Sequence, residues 1–310
     1  MSGHARPVLL VGGPTASGKT ALALTAAREL GGEIINADSM QIYREIPILS
    51  AQPSVDERGD IPHHLFGVLP VEDAGSTGWW SRETVRLITD IRGRGRIPVI
   101  VGGTGLYFSA LTDGIADIPE TTSEARAEAD RLEEAGMDVL RAAAERYDPD
   151  AAARAKGDDR ARLRRIVEVG VSTGRAISEF QADTRPALPP GDWTGIVIEP
   201  DREALYARID ARFEAMLSDG AWEEAKALQG HNRRLPALKA VGLPWLLAHL
   251  DGEIDADTAI AHAKRDSRRY AKRQYTWFRN QCSNWSRIRT LDVRKAEAEF
   301  RALNRGPNLN

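Results

Sequence analysis

An apolar run, Val8-Leu9-Leu10-Val11, leads straight into Gly13-Pro14-Thr15-Ala16-Ser17-Gly18-Lys19-Thr20. The octapeptide satisfies G-x-x-x-x-G-K-[ST] at every fixed position, and in this context it commits the chain to a strand, a tight glycine turn and a helix. The turn lets successive backbone N–H groups point inward, and the helix N-terminus adds partial positive charge. Lys19 supplies a full charge for a terminal phosphate, and the Thr20 hydroxyl can ligate Mg²⁺. The segment is built for a polyphosphate, but it leaves the reaction open.

The pattern around it predicts an α/β fold. Pro7 to Gly13 is a buried strand, and a helix runs from Lys19 to about Leu30, closed by Gly31 and Gly32. Glu33 to Asp38 is a second strand. Thr84 to Arg92 is helical, and Ile97 to Val101 is a third strand ending at Gly102 and Gly103. Such alternation implies a parallel sheet with helices on both faces.

After Pro119 the pattern becomes helical, opening at a capping box in Thr121-Thr122-Ser123-Glu124 and running to about Phe180. A linker of Pro186, Pro189, Pro190 and Gly191 follows, then a strand at Gly195 to Ile198. The expectation is a P-loop NTPase-like parallel sheet core with C-terminal helices, residues 1–118 and 195–310, carrying a helical insertion domain at 119–194. Asp201 caps a helix that places Leu205, Ile209, Phe213 and Met216 on one face and ends at Gly220.

A chain of 310 residues suits two domains, or one carrying an insertion. No apolar run approaches the roughly 18 residues that cross a bilayer. Met1 to Pro7 lacks a secretory pattern. Cys282 is the only cysteine, which excludes intrachain disulfides and a Cys-rich zinc site. A soluble cytoplasmic protein with no membrane partner is expected. Net charge is −3, yet basic residues crowd into 154–165 and 264–289. These stretches are either a polyanion footprint or solvated helix faces.

An ordinary NTPase also carries a metal-binding carboxylate at the end of another apolar strand. Here Ile97 to Val101 ends in Gly102-Gly103-Thr104, with no acid. The strand-terminal acid is instead Asp38. It is a metal ligand, a general base or a polar turn residue.

Further segments fall in one order along the chain: Asp38-Ser39-Met40-Gln41-Ile42-Tyr43, Pro62-His63-His64-Leu65, Val101-Gly102-Gly103-Thr104-Gly105-Leu106-Tyr107, Asp148-Pro149-Asp150-Ala151-Ala152, and Tyr270-Ala271-Lys272-Arg273-Gln274-Tyr275-Thr276-Trp277-Phe278. With the phosphate loop, they resemble the tRNA dimethylallyltransferase (tRNA isopentenyltransferase) family over nearly the whole chain. The resemblance implies transfer of a dimethylallyl group from dimethylallyl diphosphate to the exocyclic N6 amine of the adenine 3′ to the anticodon, position 37. Diphosphate is released and ATP is not consumed.

On that resemblance Gly13 to Thr20 hold the diphosphate with Mg²⁺ at Thr20. Asp38 takes the proton of the attacking amine, Thr104 positions the reacting groups, and Arg208 faces the diphosphate, unless it is simply an exposed helix arginine. Transfer-RNA contacts are implied for Asp38, Ser39, Met40, Gln41 and Thr104. They are also implied for Arg126, Ala161, Arg162, Leu163, Arg164 and Arg165 in the insertion, which would clamp the anticodon stem. Lys239, Ala240, Val241, Gly242, Leu243 and Pro244 form another such turn, and Arg273, Gln274 and Trp277 lie in the tail. Trp277 reads equally as core packing. A monomer is expected.

His63 and His64 carry no assigned chemistry, and Trp79 and Trp80 read as packing residues. The chain departs from the family's usual Ile-Gly-Thr-Ala-Lys-Pro at Ile48-Leu49-Ser50-Ala51-Gln52-Pro53, and at Leu243-Pro244 it lacks an aromatic and a cation. Rival readings on the same loop are a small-molecule kinase, a prenyltransferase of free adenosine nucleotides, and a non-enzymatic RNA-binding module.

Overall fold

The computed structural model describes residues 7–157, 159–182 and 184–304. Residues 1–6, which include most of the Met1 to Pro7 segment that lacks a secretory pattern, lie outside that range. The chain divides into two compact units, one of residues up to Ser109 with those from Leu188 onward, the other Ala110–Ala187.

In the first unit β1 (Val8–Gly12) enters α1 (Lys19–Leu30), followed by β2 (Gly32–Asn36), a short α2 (Val55–Arg58), β3 (His63–His64), α3 (Thr77–Gly93), β4 (Ile97–Gly102) and α4 (Gly105–Thr112), which runs across the boundary. The second unit holds α5 (Ser123–Ala135), α6 (Met137–Tyr147), α7 (Pro149–Arg154), α8 (Arg160–Thr173) and α9 (Ile177–Gln181). The first unit resumes with β5 (Trp193–Ile198), α10 (Arg202–Met216), α11 (Trp222–Ala227), α12 (Leu243–Leu250), α13 (Ala256–Gln281), β6 (Ser286–Ile288) and α14 (Val293–Asn304).

The six strands form one sheet in the order β3-β2-β4-β1-β5-β6, and each pair is parallel. Every residue of β1, β2 and β4 is buried. Successive side chains point to opposite faces, so both faces are covered and the strands appear as unbroken apolar runs. One face packs Leu9, Val11, Ile34, Val99 and Ile196 against Leu22, Ala26 and Phe300. The predicted stripe of α10, Leu205, Ile209, Phe213 and Met216, is buried.

Several boundaries move for identifiable reasons. β2 stops at Asn36 instead of Asp38, because the Asn36 side chain accepts the Asp38 N–H at 2.8 Å and donates to Asp38 O at 2.9 Å, turning the chain. α3 starts at Thr77, before the predicted Thr84, because Ser76 accepts the Trp79 N–H. The cap of α5 is Thr122, one residue after the box placed at Thr121. β3 and β6 are too short to show a period. The sequence boundary at 194 falls inside β5, whose Trp193 and Thr194 pair with Val8 and Leu9, and the second unit ends at Ala187.

The second unit has its own core of Ala129, Leu132, Leu140, Ala144, Leu163, Ile166 and Val167. Asp148 caps α7 through the Ala151 N–H and reaches α9 through the Ser178 N–H, both at 2.8 Å.

Candidate active site

The three segments that carry the chemistry leave the C-terminal ends of neighbouring parallel strands. The phosphate loop follows β1, Asp38 follows β2, and Thr104 follows β4. Ligands in open α/β sheets bind at this edge. Gly102 permits the close approach of two of these turns, since a Cβ there would lie 2.0 Å from Ala37 O.

Gly18 caps α1 at φ 92 and Ala16 sits at φ 61. Left-handed residues in such a turn curl backbone N–H groups into an anion-binding concavity. The loop is held from outside by Gln274. Its Oε1 accepts the Thr15 N–H at 2.8 Å, and its Nε2 donates to Gly103 O at 2.9 Å. Arg212, on α10, donates to Thr15 Oγ1 at 2.6 Å.

Lys19 Nζ donates to Pro14 O at 3.3 Å. Burial pulls the Lys19 ammonium down to about 8; the Asp38 charge opposes this and Arg212 adds to it. Burial also lowers the Arg212 guanidinium, with Asp38 opposing and Arg208 reinforcing. Two buried cations thus lie within the field of the Asp38 carboxylate, and an anionic ligand relieves the excess positive charge.

Ala16, Gly18, Lys19, Thr20, Arg208 and Arg212 line a cavity of about 680 Å³ whose far wall includes Ile48, Ala51 and Gln52. Arg208 also donates to Leu291 O at 3.3 Å. A smaller hollow of about 60 Å³ holds Asp38, Thr15 and Tyr270 among the apolar side chains Met40, Leu49, Ile209, Phe213 and Val241. Arg212 and Met216 line both, so the two spaces adjoin.

Asp38 Oδ1 accepts the Met40 N–H at 3.0 Å. Thr104 Oγ1 accepts the Ser39 N–H at 2.9 Å and donates to Ser39 Oγ at 3.3 Å. Burial raises the Tyr270 phenol, reinforced by Asp38 and opposed by a hydrogen bond with Thr104. Tyr107, also raised by burial and by Asp38, stacks on Trp80 with ring centroids 4.1 Å apart. Trp80 is fully buried and donates to Asn36 O, the packing role read from the sequence.

Among the described residues no three His, Cys, Asp or Glu side chains cluster as metal ligands. A Mg²⁺ bound here would be held by the Thr20 hydroxyl, in a cavity that Glu57 and Asp219 also line.

The remaining residues divide by exposure. On α13, Arg269, Lys272, Arg273, Thr276 and Trp277 line an open groove. Trp277 is half-buried against Gly105, where a Cβ would meet it at 2.1 Å. Gln274 is buried and both ends of its amide are engaged by the loop after β1 and the turn after β4. Gln41 Nε2 is similarly spent on Ser50 O and Ala51 O.

Lys239 and Pro244 are exposed and Val241 lines the hollow, whereas Ala240, Gly242 and Leu243 are buried. In the second unit Arg126, Ala161 and Arg162 are exposed, but Leu163 is fully buried in the helical core. Arg164 is paired with Asp130, Glu133 and Glu168. Arg165 donates to Thr121 and lies 3.8 Å from Glu168. For Leu163 and Leu243 core packing removes the side chain from any RNA surface, whereas Ala240, though buried, lines the hollow beside Val241.

His63 bonds Ile61 O at 2.8 Å and His64 bonds Glu33 at 2.7 Å, and both lie in β3. Burial would raise the Glu33 carboxyl, but hydrogen bonds from Arg94 and His64 outweigh it and hold it low. Sequence reasoning missed Arg212 and Tyr270. Arg212 follows Arg208 by one helical turn on the same face, which was the available signal.

A phosphate loop and an adjoining apolar hollow that contains the Asp38 carboxylate, at the edge of a parallel sheet, define a P-loop α/β protein. Family models described as IPP transferase and Isopentenyl transferase match residues 41–281 and 6–61. The chain belongs to the IPP transferase family. It is 58% identical over 300 residues to the tRNA dimethylallyltransferase of Maricaulis maris, covering 96% of both chains. It is 49% identical to that of a Caulobacter species, covering 92% and 93%. Among solved structures, the tRNA isopentenylpyrophosphate transferase of Bacillus halodurans superposes with TM-score 0.67 at 32% identity, with 96% of each chain covered. A eukaryotic dimethylallyltransferase acting on tRNA gives TM-score 0.82 at 27% identity, covering 96% of this chain and 78% of the other.

Proposed function

We propose that this chain transfers a dimethylallyl group from dimethylallyl diphosphate to the N6 amine of adenine 37 in tRNA. The observation that carries the reading is the junction of the two spaces. A cationic cradle of loop N–H groups, Lys19, Arg208 and Arg212 adjoins an apolar hollow that contains one carboxylate, Asp38.

The chemistry follows from that arrangement. The N6 lone pair attacks C1 of the dimethylallyl group, the C1–O bond breaks, and its electron pair leaves on the diphosphate. Charge building on the departing oxygens is met by donors already in place, which lowers the barrier. The nitrogen becomes cationic as it attacks, and Asp38 accepts its proton. Thr104 holds the Ser39 turn from which Asp38 projects, and Tyr270 is hydrogen-bonded to Thr104. Bound at Thr20, Mg²⁺ would supply further neutralisation of the diphosphate.

An adenine within a stacked loop must turn out to reach such a hollow. The groove on α13, with Lys272, Arg273 and Trp277, suits a single-stranded backbone and a stacked base. Arg126 and Arg162 offer phosphate contacts from the second unit. Gln52, where the family usually has lysine, donates to Tyr43 O at 2.7 Å and so braces its own loop. We place the protein in the cytoplasm, acting as a monomer, with no helix among the described residues long and apolar enough to cross a membrane.

The test is mass spectrometry of nucleosides from tRNA incubated with the purified protein and dimethylallyl diphosphate. N6-dimethylallyladenosine in tRNA is expected. Phosphate transfer from labelled ATP to a metabolite, with the RNA unchanged, would favour the kinase. Prenylation of free nucleotides without gel-shift binding of an anticodon stem-loop would favour the nucleotide enzyme.

A further inference from the structure

Residues 47–53 form a loop that serves as the wall of both spaces. Pro47, Ile48, Ala51 and Gln52 face the diphosphate cavity, and Leu49 and Ser50 face the hollow that contains Asp38. The chain therefore crosses from one space to the other at the Ile48–Leu49 step. At that step the half-buried carboxylate of Glu224, on α11, accepts both successive N–H groups, Ile48 at 2.6 Å and Leu49 at 2.9 Å.

Burial raises the Glu224 carboxyl against the lowering effect of those two N–H groups. A half-buried carboxylate costs free energy unless its hydrogen bonds compensate. The loop it meets is strained, since Ala51 sits at φ 56, a left-handed conformation that a non-glycine residue keeps only when its surroundings over-determine it. Gln41 supplies the other constraint by donating to Ser50 O and Ala51 O. The base of Glu224 is itself rigid, because Ala221, Ala225 and Leu228 of its segment are buried in an apolar cluster with Leu49 and Phe213. Gly220 brings that segment close to the loop, where a Cβ would lie 3.3 Å from Ile48 Cδ1.

We infer that Glu224 is a positioning residue for prenyl transfer: its carboxylate fixes the Ile48–Leu49 step and thereby the placement of donor cavity against acceptor hollow. The inference rests on the function proposed above. Glu224 lines neither space, so its effect belongs to alignment, and an ångström of misplacement between reacting atoms can cost about 100-fold in rate.

The experiment compares wild-type, Glu224→Ala and Glu224→Gln proteins by single-turnover prenylation of tRNA, by steady-state KM for both substrates, and by hydrogen exchange of peptides spanning 46–53. In E224A, loop exchange accelerates while exchange in β1 and β4 stays as in wild type. The transfer step slows by about 100-fold, and both KM values change by less than about threefold. E224Q keeps one acceptor oxygen but sets its NH₂ against the other backbone N–H, so its transfer step stays at least about tenfold below wild type. Undiminished single-turnover transfer in E224A overturns the proposal, as does a loss confined to KM. Global loss of protection in both variants would make Glu224 a folding residue and also overturn it. Wild-type protein that prenylates no tRNA defeats the functional reading, and in that case unchanged loop exchange in E224A would separately defeat this one.

Discussion

Gln274 accepts the backbone N–H of Thr15 at 2.8 Å across 259 residues of chain. The other end of the same amide donates to Gly103 O, so one side chain of α13 ties the turn after β1 to the turn after β4. Both partners are backbone groups, Gly103 buried and Thr15 half-buried. Gln274→Ala leaves a donor and an acceptor unpaired, and each such group costs about 1–3 kcal/mol. A loss of about 2–6 kcal/mol is expected in denaturant unfolding, together with weaker donor binding because Thr15 belongs to the cradle. Gln274→Glu sets a carboxylate oxygen against Gly103 O and should be worse than alanine for donor affinity.

The lowered ammonium of Lys19 predicts a pH dependence of donor binding. Its ordinary value is 10.5, and in the free protein it falls to about 8. Below pH 8 the amine is charged whether or not ligand is present. Above it a growing share is neutral, and a bound diphosphate restores the charge by proton uptake. Affinity therefore weakens as pH rises above about 8, by at most about tenfold per unit from this group. For folding the sign is opposite. Between 8 and 10.5 the unfolded chain binds more protons, so this group adds stability to the ligand-free protein as pH rises. Calorimetry in buffers of different ionisation enthalpy reads the proton uptake directly. Lys19→Arg stays charged and should lose the pH dependence.

Much of this site is legible in the residues themselves, and the reasons are local. The phosphate loop declares itself because its spacing and its apolar approach through Val8 to Val11 are contiguous. The stripe Leu205, Ile209, Phe213, Met216 shows its buried face through helical period alone. By the same period Leu163, Ile166 and Val167 form an apolar stripe, so the burial of Leu163 could have been read from spacing that was instead assigned to RNA. Gln274 could not have been read this way. Nothing near it names Thr15 or Gly103 as partners, because only the fold brings them together. Glu224 is hidden for the same reason, as its partners Ile48 and Leu49 are backbone groups.

Asp38→Asn keeps the turn but removes the base. The Asn side-chain oxygen still accepts the Met40 N–H that Asp38 Oδ1 holds, so the backbone of Ser39 to Gln41 should stay in place. General-base catalysis is worth about 10²–10⁴-fold. Single-turnover prenylation should fall by that range, while anticodon stem-loop affinity stays within about twofold. Equal turnover by the variant would take Asp38 out of the proton transfer.

Arg273 and Arg164, one from each basic region, should respond differently to charge removal, because Arg164 is already held by carboxylates. Arg273 is exposed on the α13 groove beside Lys272 and Trp277. Arg164 is already neutralised by Asp130, Glu133 and Glu168. Removing one cation from a phosphate lowers the slope of log affinity against log salt by about one unit. Arg273→Ala should therefore weaken stem-loop binding and flatten the salt dependence by about that amount, measured by filter binding across a salt series. Arg164→Ala should leave the slope unchanged and instead destabilise the helical unit, because three carboxylates are left without their common partner. Trp277→Leu should weaken binding at every salt concentration without changing the slope, because stacking, worth about 1–3 kcal/mol per base, releases no counterions. A salt slope altered by Arg164→Ala and unmoved by Arg273→Ala would place the RNA on the other basic face.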